Sequence, residues 1–274
     1  YDLVYYSTGR SERVTWNAST TYDAKFGDHG IKVMLGMNTN SYRYVYHSSQ
    51  KLELSNEDMP EISLADGQMS VSGSKSWQSQ AGFFGRINYS WKDKVFVEAA
   101  GRYEGTSKFP DDLRWKFFPS ASAAYRISEE NFFEPLKSVV TEAKIRASYG
   151  SLGNQSVGSA MYIPTLSSGK ISWVIDGINQ KYYGSPSLVR DDVTWETITT
   201  LDFGADLRFW KNKVGVTFDW FSKTTTDMFV PGAAQPATFG GSAPQGNFGK
   251  MRTTGWELSV DFNHRFSNGI NFSA

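Results

Sequence analysis

Few residues of this chain have the types and the spacing that metal binding requires. The sequence contains three histidines, His29, His47 and His264, and no cysteine. None of these histidines has a second candidate ligand at metal-binding spacing, and the lack of cysteine excludes a thiolate metal site and a disulfide scaffold. We therefore interpret the histidines as turn and strand-end residues and predict no metal and no cofactor.

Three aspartates, Asp202, Asp206 and Asp219, could be considered as the carboxylate pair of a glycosidase. Carboxylates are common on the polar face of any strand, however, and no other feature supports this chemistry. The segment Gly240-Gly241-Ser242 lacks the following Lys and helix of a phosphate-binding loop. The sequence therefore predicts a protein that is not an enzyme.

Aromatic side chains in the long connection 153–195 are the candidates for substrate contacts. Trp173, Tyr182 and Tyr183 carry flat apolar faces with polar rims, on which sugars or peptide side chains could stack. The alternative is that these rings pack within the loop or against a covering partner. We predict a substrate-binding role for the three residues.

The composition excludes two further classes of protein. Lys plus Arg and Asp plus Glu both total 28, so the chain lacks the basic surface of a nucleic-acid-binding protein. No apolar run approaches the ~18 to 20 residues of a membrane helix. If the protein crosses a bilayer, it must do so with strands.

The hairpin 196–223 has the clearest alternation of the chain. Apolar residues occupy every second position of both strands, and the intervening positions are polar, charged or glycine, as a β-strand with two different faces requires. The apolar row contains Leu201, Phe203, Ala205, Leu207, Phe209, Val214, Val216, Phe218 and Trp220. Both strands exceed the ~5 to 6 residues typical of soluble proteins and suit a bilayer with a core of about 30 Å.

The same analysis predicts strands along the whole chain, joined by connections of two kinds. The predicted strands are 1–7, 12–26, 31–46, 81–91, 95–106, 116–127, 143–152, 196–210, 214–230, 251–266 and 269 onward. Tight turns are predicted at 27–30, 92–94, 211–213 and 267–269, with a short helical linker at 128–142, and they all fall at one end of the sheet. The long connections 47–80, 107–115, 153–195 and 231–250 fall at the other end. Short periplasmic turns and long extracellular loops are typical of an outer-membrane barrel.

Aromatic residues and charges fit the same interpretation. Rings precede the tight turns at Phe26, Trp91, Phe209, Trp210 and Phe266, as expected of an interfacial girdle. The row facing the interior contains Arg86, Asn88, Glu98, Arg102, Glu104, Arg126, Arg146, Asp202, Asp206, Arg208, Asp219, Glu257, Asp261 and Arg265. One-sided charge also describes a soluble sandwich with one solvated face, which stays open at this point.

Several motifs, in order, resemble the SusC/RagA family of TonB-dependent outer-membrane transporters. The resemblance covers residues 80–274, and residues 1–79 match in pattern only. The motifs are 101–110 (GRYEGTSKFP), 114–120 (RWKFFPS), 127–130 (ISEE), 146–155 (RASYGSLGNQ), 194–196 (TWE), 223–228 (KTTTDM) and 255–258 (GWEL). Lys116 and Tyr125 replace the Gly and Trp that are usual in the family.

The resemblance implies an all-β antiparallel transmembrane barrel, of which this chain would supply about 10 to 11 strands out of about 22. It also implies an N-terminal plug, a SusD-like surface lipoprotein as partner, energy from TonB, ExbB and ExbD, and oligosaccharide or peptide cargo. We expect residues 1–274 to be part of one barrel domain, with the plug and the C-terminal strands outside this chain.

The predicted function is therefore active import of oligosaccharides or peptides across the bacterial outer membrane. A passive outer-membrane porin or adhesion barrel is the first alternative, and a soluble carbohydrate-binding β-sandwich is the second. Contact with the lipid bilayer is expected, and contact with nucleic acid is not.

Overall fold

The computed structural model describes residues 2–241, 243–265 and 271–274, and their regular structure is almost entirely strand. Short 3-10 helices lie at Ile62–Leu64, Ile127–Glu129, Asn131–Leu136 and Ala237–Phe239. The strands are β1 (Leu3–Phe26), β2 (His29–Leu52), β3 (Met69–Trp91), β4 (Val95–Thr106), β5 (Trp115–Arg126), β6 (Val140–Asn154), β7 (Leu166–Ile175), β8 (Ile178–Pro186), β9 (Glu196–Phe209), β10 (Val214–Val230), β11 (Gly246–Arg265) and β12 (Asn271–Ser273).

Ten strands form one sheet in the order β1-β2-β3-β4-β5-β6-β9-β10-β11-β12, and β7 and β8 form a separate hairpin. The register places apolar residues of neighbouring strands opposite one another. Trp220 of β10 lies opposite Phe203 of β9 and Trp256 of β11. The apolar row therefore continues from strand to strand. The predicted all-β, antiparallel class is confirmed.

The chain divides into two compact units. Unit 1 consists of Tyr1–Asn17 and Asn38–Ala81, and unit 2 consists of Ala18–Met37 and Gly82–Ala274. Unit 1 contains the ends of β1, β2 and β3 that adjoin the connection 53–68. Unit 2 contains the rest of these strands and all the others. That residues 1–274 belong to a single barrel domain stays a prediction.

Within unit 2, connections of different length lie at opposite ends of the sheet, as predicted. The short turns follow β1, β3 and β9, where Lys92, Asp93, Lys211 and Asn212 adopt positive φ angles of 51° to 65°. The linker between β5 and β6 contains two short 3-10 helices and lies at the same end. The long connections follow β4, β6 and β10. The turn predicted at 267–269 lies outside the described residues.

Several predicted boundaries were wrong because the apolar row is interrupted within the strand. β1 is one strand, whereas two were predicted, and β3 begins at Met69 rather than at 81. The segment Thr8–Arg13 has no bulky apolar residue, so its pattern gives no strand signal. Backbone pairing needs only N–H and C=O groups and continues through such a segment. The hairpin β7–β8 was likewise missed within the predicted loop 153–195.

The apolar row is exposed rather than covered by a second layer. Trp256 of β11 is 67% exposed, and Leu258 and Val260 of the same row are also exposed. Charged side chains of the opposite row pair with one another, as described below. This distribution suits a sheet whose apolar face contacts lipid. None of the helices in the described ranges has the length and hydropathy of a membrane span.

Candidate functional site

A buried aromatic cluster lies where the long connections leave the sheet of unit 2. Trp195 is 1% exposed, and its ring centroid lies 5.3 Å from that of Phe109 and 5.5 Å from that of Phe118. Its indole Nε1–H donates a hydrogen bond of 2.9 Å to the backbone carbonyl of Arg114. Val157 and Val193 complete the cluster. The cluster therefore fixes the bases of the connections that follow β4 and β6.

Polar contacts fix the same loop bases. The Lys108 ammonium donates to the carbonyl oxygens of Gln155 at 2.9 Å and Val157 at 3.0 Å. The Asn247 side chain donates to the carbonyl of Thr194 at 2.9 Å and accepts from the Thr194 N–H at 3.0 Å. These bonds satisfy backbone groups that would otherwise be unpaired at the strand ends.

A half-open cleft lies beside these bases, with a volume of about 680 Å³. Its walls come from the end of the β7–β8 hairpin, from the segment before β9 and from the connection between β10 and β11, with single residues from the connection before β7 and from the end of β10. The lining residues include Met161, Leu188, Val189, Arg190, Phe229, Phe239, Pro244 and Gln245. Mostly apolar walls with a few polar groups are typical of sites that hold small organic groups.

Arg190 is held in place at this cleft. Its guanidinium lies 4.9 Å from the centre of the Phe248 ring and donates to Asp192 at 2.7 Å. The hydrogen bond from Arg190 lowers the pKa of the Asp192 carboxyl below its usual range. At neutral pH Asp192 is therefore ionised, and its hydrogen bonds orient the Arg190 guanidinium.

The three predicted substrate-binding residues lie on the β7–β8 hairpin. Trp173 belongs to β7 and is 77% exposed, and Tyr182 and Tyr183 belong to β8 and are also exposed. The Tyr182 ring covers Gly169, where a Cβ atom would come within 2.7 Å of it. Consecutive strand residues point to opposite faces, so Tyr182 and Tyr183 cannot line one surface. The cleft described above is lined by other residues, and the substrate-binding role stays a prediction.

The three aspartates of the polar row surround Arg146 in the structure. Nitrogens of its guanidinium lie 3.5 Å from Asp202, 3.2 Å from Asp206 and 2.6 Å from Asp219. These carboxylates thus serve an ion-pair network on the sheet. No group of three or more His, Asp and Glu side chains within the described ranges could hold a metal ion.

A glycine makes the contact between Arg146 and Asp219 possible. Arg146 of β6 and Asp219 of β10 are both register partners of Gly204 on the intervening strand β9. A Cβ atom on Gly204 would lie 2.4 Å from the Asp219 Oδ1 and 2.5 Å from the Arg146 Cζ. The guanidinium therefore crosses over Gly204 to reach Asp219.

The arrangement occurs a second time. Arg208 of β9 pairs with Asp261 of β11 at 2.6 Å, and both are register partners of Gly215 on β10. A Cβ atom on Gly215 would lie 2.0 Å from the Arg208 Nη1. We call this combination an Arg-Gly-Asp crossing. Sequence reasoning placed the charges on one face but missed the crossings, because only the strand register aligns them.

At the short-turn end, the linker between β5 and β6 is tied to the sheet. The Tyr125 hydroxyl donates to the Glu130 carboxylate at 2.9 Å, and the Lys94 ammonium lies 3.4 Å from the same carboxylate. The hydrogen bond from Tyr125, assisted by Lys94, lowers the pKa of Glu130. Phe133 of the linker is buried.

Long antiparallel strands, an exposed apolar row, an ion-paired opposite row and loops sorted by length define a segment of a transmembrane β-barrel. A family model described as TonB dependent receptor-like, beta-barrel matches residues 2–274. The chain belongs to this family. As part of such a barrel, it lies in the bacterial outer membrane.

Relatives and solved structures agree with this assignment. The chain is 32% identical over 199 residues to TonB-dependent receptor P26 of Formosa agariphila. This alignment covers 71% of the chain and 19% of that relative. It is 26% identical over 181 residues to TonB-dependent receptor SusC of Bacteroides thetaiotaomicron, covering 65% of the chain and 18% of SusC. A structure of the RagAB peptide transporter matches with a TM-score of 0.83 at 18% identity, over 98% of this chain and 29% of that one. The resemblance to SusC/RagA barrels is confirmed.

The chain spans only a part of these proteins. It covers between 18% and 26% of the length of the curated relatives that it matches. The likeness to RagAB, at 18% identity, shows the fold alone. Import, cargo and partners are properties of a whole transporter, of which this chain is one part of the barrel.

Proposed function

We propose that the protein to which this chain belongs imports oligosaccharides or peptides actively across the outer membrane, as a SusC-like TonB-dependent transporter. The match of residues 2–274 to the TonB-dependent receptor barrel carries the proposal. The named relatives support it, since P26, P39, P3 and SusC are all TonB-dependent receptors. The solved RagAB complex is a peptide transporter, which supports peptides as one of the two cargo classes.

The proposed partners follow from the same family. A SusD-like surface lipoprotein would cover the loop end, and TonB, ExbB and ExbD would supply energy through a plug domain outside these residues. The anchored bases of the long connections support the first partner, because loops fixed at Trp195 and Lys108 present a defined surface. The matched family is one of receptors, and we propose no catalysis for this chain.

Uptake measurements test the proposal. Cells that express the full-length protein should accumulate labelled oligosaccharides or peptides when TonB is present and lose this accumulation when TonB is deleted. A passive porin would transport equally well in both strains, and an adhesion barrel would transport in neither. Uptake that is indifferent to TonB would therefore contradict active import.

Cargo contacts are proposed for Trp173, Tyr182 and Tyr183. Each exposed ring offers a face on which a sugar or a peptide side chain can stack, for about 0.5 to 1.5 kcal/mol per ring pair. Because Tyr182 and Tyr183 point to opposite faces of β8, a single bound cargo should contact one of them and not the other.

Single alanine variants of the full-length protein test these contacts. One of Tyr182→Ala and Tyr183→Ala should weaken cargo binding about 3-fold to 10-fold, and the other should leave it unchanged. Trp256→Ala is the matched control, since Trp256 is similarly exposed but lies in the apolar row of β11. Unchanged affinity in the triple variant, with the lipoprotein partner still bound, would remove the assignment.

A further inference from the structure

Three tyrosines occupy alternate positions of β2 within unit 1. Because side chains of a strand alternate between its two faces, Tyr42, Tyr44 and Tyr46 point to the same face. Two of them contact β1 on that face. The Arg13 guanidinium lies 5.3 Å from the centre of the Tyr42 ring, and the Tyr46 hydroxyl lies 2.5 Å from that of Tyr5. The rings therefore form a row along β2 that is held against the neighbouring strand.

A glycine lets the middle ring lie across β1. A Cβ atom on Gly9 would lie 2.7 Å from the Tyr44 Oη and 3.2 Å from its Cε2. The Tyr44 ring therefore covers Gly9 and lies along the surface of the sheet instead of standing away from it. The ring is half-buried, and the side that faces away from the sheet stays accessible.

On the other side of β2, strand β3 supplies a row of hydroxyl groups. A Cβ atom on Gly73 would lie 3.2 Å from the His47 Nδ1, and this register puts Ser74 beside Tyr46 and Ser76 beside Tyr44. Ser72, Ser74 and Ser76 are exposed, and within the described chain their hydroxyls have no hydrogen-bond partner. Each hydroxyl can therefore donate and accept a hydrogen bond. We call Tyr42, Tyr44, Tyr46 and these three serines the tyrosine face.

The tyrosine face lies opposite the apolar row of the same strands. Trp77 is 71% exposed and directly follows Ser76, so its side chain points away from the tyrosine face. Since the apolar row contacts lipid, the tyrosine face is directed to the barrel interior. Unit 1 contains the strand ends that adjoin the long connection 53–68, and long connections of such barrels face the cell exterior. The tyrosine face therefore lines the outer part of the lumen.

This face is almost free of charge. In the strand segments 3–17, 38–52 and 69–80, Arg13 is the one charged side chain that shares the face with the tyrosines. The opposite face of the same segments carries Arg10, Glu12, Arg43 and Lys75. Aromatic rings with uncharged hydroxyl groups suit a neutral sugar, whose C–H groups stack on a ring and whose hydroxyls form hydrogen bonds. A peptide carries charged termini, for which this face offers no acid and one cation.

The backbone and the ring spacing also favour a sugar chain. A peptide commonly binds to a sheet by adding a strand to an open edge, but β2 is paired with β1 and with β3. Recognition on this face therefore has to use side chains. Alternate residues of a strand lie about 6.8 Å apart, so the row from Tyr42 to Tyr46 extends over about 14 Å. It offers three stacking positions in succession to a ligand of repeating rings.

We propose that the tyrosine face binds a neutral oligosaccharide, with sugar rings stacked on Tyr42, Tyr44 and Tyr46 and sugar hydroxyls bonded to the serines of β3. The inference rests on the proposed import function and selects oligosaccharides from its two cargo classes. Binding can be measured without TonB, so import can fail while this inference holds.

Binding to the full-length protein in nanodiscs tests the proposal. The probes are hexasaccharides of glucose, mannose, galactose and xylose, with hexagalacturonate and hexaalanine as charged competitors. At least one neutral hexasaccharide should bind, and neither charged competitor should displace it. If none of the four neutral probes binds, the proposal is overturned. TonB-dependent uptake of peptides by the same protein would then leave active import intact.

Variants of the tyrosine face locate the binding. Tyr42→Ala, Tyr44→Ala and Tyr46→Ala should each weaken binding about 3-fold to 10-fold, whereas Tyr44→Phe keeps the ring face and should bind nearly as well as the unmodified protein. Trp77→Ala is the matched control, since Trp77 is an exposed ring on the opposite face, and it should leave the affinity unchanged.

Gly9→Ala tests the position of the ring without removing it. The new Cβ atom would displace the Tyr44 ring, so this variant should weaken binding about as much as Tyr44→Ala, and the two changes together should cost no more than either alone. It also provides the test if an alanine variant of a tyrosine fails to fold. Unchanged sugar affinity in the tyrosine variants would overturn the proposal, and loss of a surface lipoprotein from the same variants would assign the face to that partner instead.

Discussion

Substitution of Gly204 by alanine tests the Arg-Gly-Asp crossing directly. The new Cβ atom would lie 2.4 Å from the Asp219 Oδ1 and 2.5 Å from the Arg146 Cζ, well inside contact distance. Both obstructing groups are the ends of flexible side chains, so we expect them to move while the backbone keeps its pairing. The contact between Arg146 and Asp219 would then be lost.

The expected cost combines two effects. Overpacking by one methyl group costs about 1 to 3 kcal/mol in a tightly packed site. Loss of a hydrogen bond between charged groups costs about 1.5 to 3 kcal/mol when both are buried. The side chains of Arg146 and Asp219 are 30% and 19% exposed, which reduces the second effect by solvent screening. We therefore expect a decrease of about 2 kcal/mol in the free energy of unfolding.

A double-mutant cycle in the full-length protein, unfolded by urea from lipid vesicles, provides the measurement. In an Arg146→Ala background the ion pair is already lost and the Asp219 carboxylate is no longer held over position 204, so Gly204→Ala should cost less than about 0.5 kcal/mol. Gly85→Ala is the control, because its Cβ would meet a Leu35 methyl group at 3.1 Å and the Met34 carbonyl oxygen at an ordinary contact distance of 3.8 Å, and no charged group. The reasoning is refuted if Gly204→Ala costs as much without Arg146 as with it.

Three further predictions concern other parts of the chain. Trp195→Ala should destabilise the loop base by about 3 to 5 kcal/mol and speed proteolysis within 155–195, and unchanged cleavage would contradict the anchoring role. Arg208→Gln should lower the urea concentration at the midpoint of unfolding, and adding Asp261→Asn to this variant should lower it little further. Additive losses of stability would exclude the crossing of Arg208 over Gly215 to Asp261. Because the pKa of Glu130 is lowered by the bond from Tyr125, the resulting stabilisation is complete above the carboxyl's ordinary pKa and is lost as the pH falls through the lowered value. The protection of the linker amides against hydrogen exchange, measured relative to the intrinsic rate at each pH, should therefore decrease in acid. Tyr125→Phe should weaken this dependence, and an unchanged dependence would contradict the assignment.

Strand bounds were predicted well where one face of the strand is apolar and the other is polar. The bounds of β4 (Val95–Thr106) and β10 (Val214–Val230) were predicted without error. Both strands carry apolar residues on one face and polar residues on the other, so the pattern has a period of two. In the first half of β3 one face carries only Ser and Gln, but Gly73 and Lys75 interrupt the apolar row of the other face between Val71 and Trp77, so the sequence pattern is weaker there.

The aromatic cluster could not be predicted from the sequence. Trp195 and Arg114 are 81 residues apart, and only the sheet order brings them together. The motifs at 101–110 and 194–196 pointed to a family, but motifs do not state which side chains meet. The prediction for Trp173, Tyr182 and Tyr183 rested on aromatic side chains in a long loop. The hairpin β7–β8, which was not predicted, determines the face on which each of these rings lies.

The crossings also explain why glycine occurs on the polar row. Neighbouring strands lie about 4.8 Å apart, so two strands separated by a third are nearly 10 Å apart. An extended arginine side chain and an aspartate can span this gap only if the intervening residue has no side chain in the way. Arg146 and Asp219 thereby connect β6 to β10 over Gly204, a link that the backbone ladder, which joins only adjacent strands, cannot supply. We infer that these links stiffen the polar face of the sheet, and that alanine at Gly204 or Gly215 would remove them without removing a single charge.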